Sequence, residues 1–168
     1  FSFNSTYHKN SMQDGGFFFY GTLQYRLSTT ISKDNTINNK TLYHYKNRNS
    51  FSTADFLDAG QIILTNCSNA VIKNHNLSAC TIGVDIFHCR NITVKDNRLN
   101  QNLEGIKAWY CNQSLFDSNE IITSQIIPYA AGIELYTCFN STIKSNIISN
   151  FTWGITLAIS SNHTISEN

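Results

Sequence analysis

From Gln61 onward the apolar residues fall into fixed columns. With lines begun at Gln61, Gly83, Gly105, Gly132 and Gly154, the next position reads Ile62, Val84, Ile106, Ile133 and Ile155. Three places on it reads Leu64, Ile86, Ala108, Leu135 and Leu157, and eleven on Ile72, Val94, Phe116, Ile143 and Ile165. Cys67, Cys89, Cys111, Cys138 and Ser160 stand six places in. Two further columns are amide-rich: Asn69, Asn91, Gln113, Asn140 and Asn162, then His75, Asn97, Asn119, Asn146 and Asn168. The lines step by 22, 22, 27 and 22 residues, which confines an insertion to the third line, around Ser124 to Ala130.

Apolar positions one and three places into each line alternate with others, which is strand rather than helix periodicity. Helical repeats need about 33–47 residues per unit, and the leucine-rich frame is absent. A line of this length with three short apolar clusters predicts one coil of a parallel β-helix. Successive coils then stack at about 4.8 Å and turn every column into a ladder of like side chains. The amide columns fit the bends, where Asn tolerates the left-handed conformation and bonds the amides above and below it.

The strings Asp58-Ala-Gly-Gln-Ile-Ile-Leu-Thr-Asn-Cys-Ser-Asn69, Gly132-Ile-Glu-Leu-Tyr136 and Asn140-Ser-Thr-Ile-Lys-Ser-Asn146 resemble the NosD-type right-handed β-helix repeats. These are also called carbohydrate-binding and sugar-hydrolase repeats and are abundant in archaeal surface proteins. The resemblance covers roughly Thr29 to Asn168 and implies the right hand of the coil. It does not select an activity, because the family contains structural, binding and enzymatic members.

Upstream, Gly15-Gly-Phe-Phe-Phe-Tyr-Gly21 is the most apolar stretch, and Thr30–Ile37 has the flavour of Thr142–Ile148. Leu42–Leu57 reads as a looser coil carrying Tyr43, Tyr45, Phe51 and Phe56. The expectation is a single all-β domain over residues 1–168, regular over 61–168 and looser over 1–60, with about seven to eight coils in a rod about 35 Å long. The last line ends part way round a coil and no amphipathic helix is evident at either end. Either the chain is a fragment, or Phe1-Ser-Phe-Asn-Ser-Thr6 of a next molecule completes the coil in a head-to-tail homopolymer.

Twelve basic against eleven acidic residues, with no basic run, argue against nucleic acid as a partner. No apolar run approaches the ~18 residues of a membrane span, and no leader peptide is visible at Phe1, as expected if one has been removed. Nine Asn-x-Ser/Thr sequons exceed the four or five that 22 Asn and 34 Ser plus Thr give by chance. That excess points to an exported, glycosylated surface, although Asn-rich bends beside Thr-rich strands also generate sequons. Asn4, Asn39, Asn66, Asn76, Asn112 and Asn150 are the candidate acceptors; Asn91, Asn140 and Asn162 lie in a ladder column and are excluded if it faces inward.

The cysteine column Cys67, Cys89, Cys111 and Cys138 matches no zinc spacing, and parallel Cβ vectors disfavour bridging between neighbours. It reads as a buried ladder, leaving Cys80 as the candidate interchain thiol. Asp85, Lys107 and Glu134 stand two places into their lines and Phe87, Trp109 and Tyr136 four places in, all expected on the outer face. They form an acid–base–acid ladder, with Lys107 pairing both carboxylates, beside an aromatic stripe suited to stacking on sugar or to lateral contact between rods. No calcium-type Asp cluster, no catalytic carboxylate cluster and no metal or cofactor motif stands in the columns, and the histidines are scattered among different ones. The reading is a non-enzymatic structural component of an extracellular surface layer or sheath, assembling head-to-tail and laterally. The alternative is a polysaccharide-binding or polysaccharide-cleaving domain that meets a cell-surface polysaccharide through the aromatic face.

Overall fold

The computed structural model describes residues 4–168. The chain winds as a β-solenoid of about seven turns. Among the described residues one long sheet stacks, in order, Ile147–Ala158, Glu120–Tyr136, Glu104–Trp109, Ile82–Phe87, Ala59–Thr65, Lys40–Lys46, Thr36–Ile37 and Ser11–Met12. A second sheet stacks Thr164–Ser166, Thr142–Lys144, Leu115–Asp117, Arg90–Lys95 and Ser68–Lys73. The third side of the regular coils is tied mainly by single bridges, Asn76 to Arg98 and Arg98 to Glu120. The columns are the register: Ile62 pairs with Val84, Val84 with Ile106, Ile106 with Ile133 and Ile133 with Ile155. Ile72, Val94, Phe116, Ile143 and Ile165 do the same in the second sheet. These side chains, fully buried except in the last coil, fill one continuous core. The line-opening glycines mark a close approach, since a Cβ on Gly105 would come within 2.6 Å of the Gly132 carbonyl oxygen and also meet Ile121.

The two amide columns part company. Asn69, Asn91, Gln113, Asn140 and Asn162 take positive φ at an outer bend and are exposed. Asn97, Asn119 and Asn146 are buried with ordinary φ, and the residues before them, Asp96, Ser118 and Ser145, make the left-handed turn. Each buried amide donates to the next, Asn97 to Asn119 at 3.1 Å and Asn119 to Asn146 at 2.9 Å, and also to a carbonyl of the coil before. That satisfies backbone groups the bend leaves unpaired.

The insertion widens one strand to the 17 residues of Glu120–Tyr136, with two register shifts between Ile122 and Ala131. At the other end the stack is less regular. Thr6–Tyr7 lies beside Thr30–Ile31 and Ser11–Met12 beside Thr36–Ile37, all parallel, but Thr36–Ile37 meets Lys40–Lys46 antiparallel through a turn with positive φ at Asn38 and Asn39. Between these strands an arm, Gly15 to Ser28, crosses the outside of the long sheet. Gln61 anchors it by accepting from the Phe17 amide at 3.0 Å and donating to the Phe17 carbonyl at 2.8 Å. The arm ends in a short helix, α1 (Leu23–Ser28), which lies against the flank of the solenoid rather than over an end of it. Phe17 and Phe19 pack there on Ile31, Ile37, Leu42, Ile63 and Cys80. Of the segment expected to complete a neighbour's coil, Phe1–Phe3 lie outside the described residues.

Candidate functional site

Three adjacent strands bring the expected outer-face residues together. Asp85, Lys107 and Glu134 are paired in one column and Phe87, Trp109 and Tyr136 in the next. The strands before extend both columns, through Ile63 to His44 and through Thr65 to Lys46. The expected open charge ladder is not what forms, because the arm covers this face. Asp85 and Lys107 are buried, Glu134 and Trp109 half-buried. Arg26 of α1 donates from Nη1 to both carboxylate oxygens of Asp85 at 3.0 Å and from Nη2 to the Phe19 carbonyl at 2.8 Å. Lys107 therefore does not bridge Asp85 and Glu134; its ammonium lies 4.3 Å from the ring centres of both Phe18 and Trp109 and 3.6 Å from Glu104. Phe17 and Phe19 of the arm pack into the apolar cluster beside this face, and the charges the arm covers are neutralised locally, as buried charges require.

Burial governs the titration here. It pushes the carboxyls of Asp85 and Glu104 up, against the pull of Arg26 and Lys107 respectively. It also drives His44 down to about 3, helped by Lys46 and Arg26; neither imidazole nitrogen has a hydrogen-bond partner, and Phe19 lies 5.4 Å away. Arg26, His44, Lys46 and Glu104 were not singled out from the sequence. His44 and Lys46 were findable by running the columns back one coil, whereas Arg26 belongs to no column.

Beside the covered charges a cleft of about 630 Å³ opens between the arm and the sheet. Tyr20 supplies the arm side; Trp109, Tyr110 and Tyr136 supply the solenoid side, with His88 at the margin. Tyr20 meets Trp109 edge-on at 6.0 Å and 76°, and Tyr110 meets Tyr136 at 5.8 Å and 83°. Phe87 forms part of the floor, buried with the Arg26 guanidinium 4.1 Å above its ring centre. Tyr20 and Tyr110 escaped notice in the sequence because one lies in the arm and the other at a bend, with φ of 58°. A concave aromatic site of this size lies within the range of about 300–1,000 Å³ typical of small-molecule sites.

The other singled-out residues sort by burial. Cys67, Cys89, Cys111 and Cys138 are buried free thiols in one line, each of the first three donating its backbone N–H to the next Sγ at 3.3–3.5 Å. Cys80 is also buried and free, and burial pushes its thiol up to about 12, so the candidate interchain thiol does not reach the surface. Asn4, Asn39, Asn66, Asn76, Asn112 and Asn150 are exposed; so are Asn91, Asn140 and Asn162, whose column faces outward. Among the described residues no group of three or more His, Cys, Asp or Glu is placed to hold a metal ion, and no helix is long and apolar enough to cross a membrane.

Residues 42–168 match the protein family described as the right handed beta helix region. Neither a curated protein nor a solved structure gives a significant match to the chain.

Proposed function

This chain belongs to the right-handed β-helix family, and we propose that it binds polysaccharide outside the cell, without cleaving it, through the cleft between the arm and the sheet. The fold is compatible with polysaccharide-binding and with structural roles. The observation that favours binding is the convergence of Tyr20, Trp109, Tyr110 and Tyr136 on one concave site, because flat rings are suited to the apolar faces of sugars. Binding rather than hydrolysis is favoured because both oxygens of Asp85 are engaged by Arg26, leaving no free carboxylate pair that includes it. Exposure of all nine sequon asparagines supports export to a cell surface. A glycan array tests the reading: purified protein is expected to retain at least one polysaccharide class and Trp109→Ala to lose it, while a folded protein that retains none refutes it.

The surface-layer or sheath role, with head-to-tail and lateral contact between copies, is the second reading. It is supported by the exposed Leu157, Ile159 and Ile165 of the last coil, which a further coil, of a continuing chain or of another copy, would cover. Electron microscopy decides it: filaments, tubes or sheets support assembly, and isolated short rods at high concentration exclude it.

A further inference from the structure

We infer that the cleft takes single chains of a neutral polysaccharide, neither anionic polymers nor a crystalline sugar surface; this rests on the glycan-binding reading above. The first observation is charge. An anionic glycan needs accessible cations, and those nearest the cleft are engaged elsewhere. Arg26 is fully buried against Asp85. Lys107 is 2% exposed, between two rings and beside Glu104. Lys46 donates to the carbonyls of Leu27 and Thr29 at 2.9 and 2.7 Å. Glu134, next to Lys107 across the strands, adds a negative charge that repels uronates and sulfates. The cleft lining itself carries no Asp, Glu, Lys or Arg.

The second observation is shape. A crystalline sugar lattice is bound by rings in one plane. Here the ring pairs stand at 76° and 83° to each other, so they wall a trough rather than pave a surface. Tyr20 of the arm meets Trp109 edge-on at 6.0 Å, so the two rings join at one corner of the trough and a chain lies beside that corner, along the rings that line the cleft. A single neutral chain meets both conditions, with rings against sugar faces and no ion pairs.

Affinity electrophoresis of the whole chain tests this, with native gels containing xylan, galactomannan or mixed-linkage β-glucan, or polygalacturonate or alginate, alongside sedimentation with crystalline cellulose and chitin. Retardation is expected in at least one neutral gel and in neither anionic gel, with less than twofold change in affinity between 50 and 500 mM NaCl, since no ion pair is there to screen. Tyr20→Ala and Tyr110→Ala, at positions 62% and 38% exposed and each checked for the parent's far-UV circular dichroism, are each expected to weaken retardation at least tenfold. Retardation by an anionic polymer that fades with salt, sedimentation on crystals without soluble binding, or neutral-chain binding indifferent to both substitutions overturns the inference while leaving glycan binding standing. Failure to bind any of the carbohydrates overturns both.

Discussion

Arg26 and Asp85 are 59 residues apart in sequence and 3.0 Å apart in the fold, with neither side chain accessible to solvent. The contact joins the arm to the solenoid and fixes one wall of the cleft. Removing one partner strands the other charge in a dry site, so Asp85→Ala is expected to cost about 3–5 kcal/mol. The double change Arg26→Met with Asp85→Leu should recover most of that, because it leaves no buried charge. Urea denaturation measures both. Limited proteolysis should cut near Gly15–Gly21 in the single variant and spare the parent.

His44 gives the arm a pH dependence of known sign. Its folded value of about 3 lies below the ordinary 6.5, so the unfolded chain binds the proton that the folded chain refuses. Its contribution is complete above pH 6.5 and is lost as pH falls from there toward 3, at up to about 1.4 kcal/mol per unit. Arg26 and Lys46 face the ring and add to the penalty. Asp85 and Glu104, both raised by burial, work the opposite way and offset part of the loss. The urea midpoint should therefore fall between pH 6.5 and 4, and His44→Phe should flatten that dependence. An unchanged slope in the variant would place the acid sensitivity elsewhere.

The cysteine column is a hydrogen-bonding device as well as packing. Cys111 Sγ accepts the Cys89 amide at 3.4 Å and donates to the Ile86 carbonyl at 3.4 Å. Ser160, closing the column, accepts from Cys138 at 3.0 Å and donates to Leu135 at 3.3 Å. Cys111→Ser should therefore be the milder change, and Cys111→Ala, which orphans the Cys89 amide, should cost about 1–3 kcal/mol. A thiol reagent should find no reactive cysteine in the native protein and five after unfolding without reductant. Fewer than five would reveal a disulfide.

How much of this was legible follows from what repeats. Ile62, Leu64 and Ile72 announced the core because every coil writes them again, and the strand alternation correctly set Asp85 and Lys107 on the opposite side from Ile86 and Ala108. The arm repeats nothing. Phe17 and Phe19 declare a need for burial, but several of their partners, Gln61 and Ile63 among them, lie more than forty residues on, and no local pattern names them. Arg26 was invisible for the same reason, and with it the fate of Asp85. At the bends, alternation no longer tells inside from outside, so Asn91 and Asn97 look alike in sequence although one is exposed and the other buried.

That difference is measurable. Asn119 donates to the Asn146 side-chain oxygen and the Val94 carbonyl, both at 2.9 Å, and accepts from the backbone and side-chain nitrogens of Asn97 at 3.2 and 3.1 Å. Asn119→Ala leaves the buried Asn97 backbone N–H without its partner and removes one bond each from the Asn97 side chain, the Asn146 side-chain oxygen and the Val94 carbonyl. The Asn97 side chain keeps Ile72, and Asn146 keeps the residue-119 backbone N–H. At about 1–3 kcal/mol for the buried N–H left unsatisfied, with a smaller cost for each further bond removed, a loss of about 2–3 kcal/mol is expected. Asn91 is exposed at a φ of 54°, with its side chain donating only to Asn69 across the outer bend. Glycine tolerates that backbone, so Asn91→Gly should change stability by less than about 1 kcal/mol. Urea midpoints of the two variants provide the comparison: a large loss at Asn119 beside a small one at Asn91 establishes the inner ladder as the load-carrying column, and equal losses would refute the division between them.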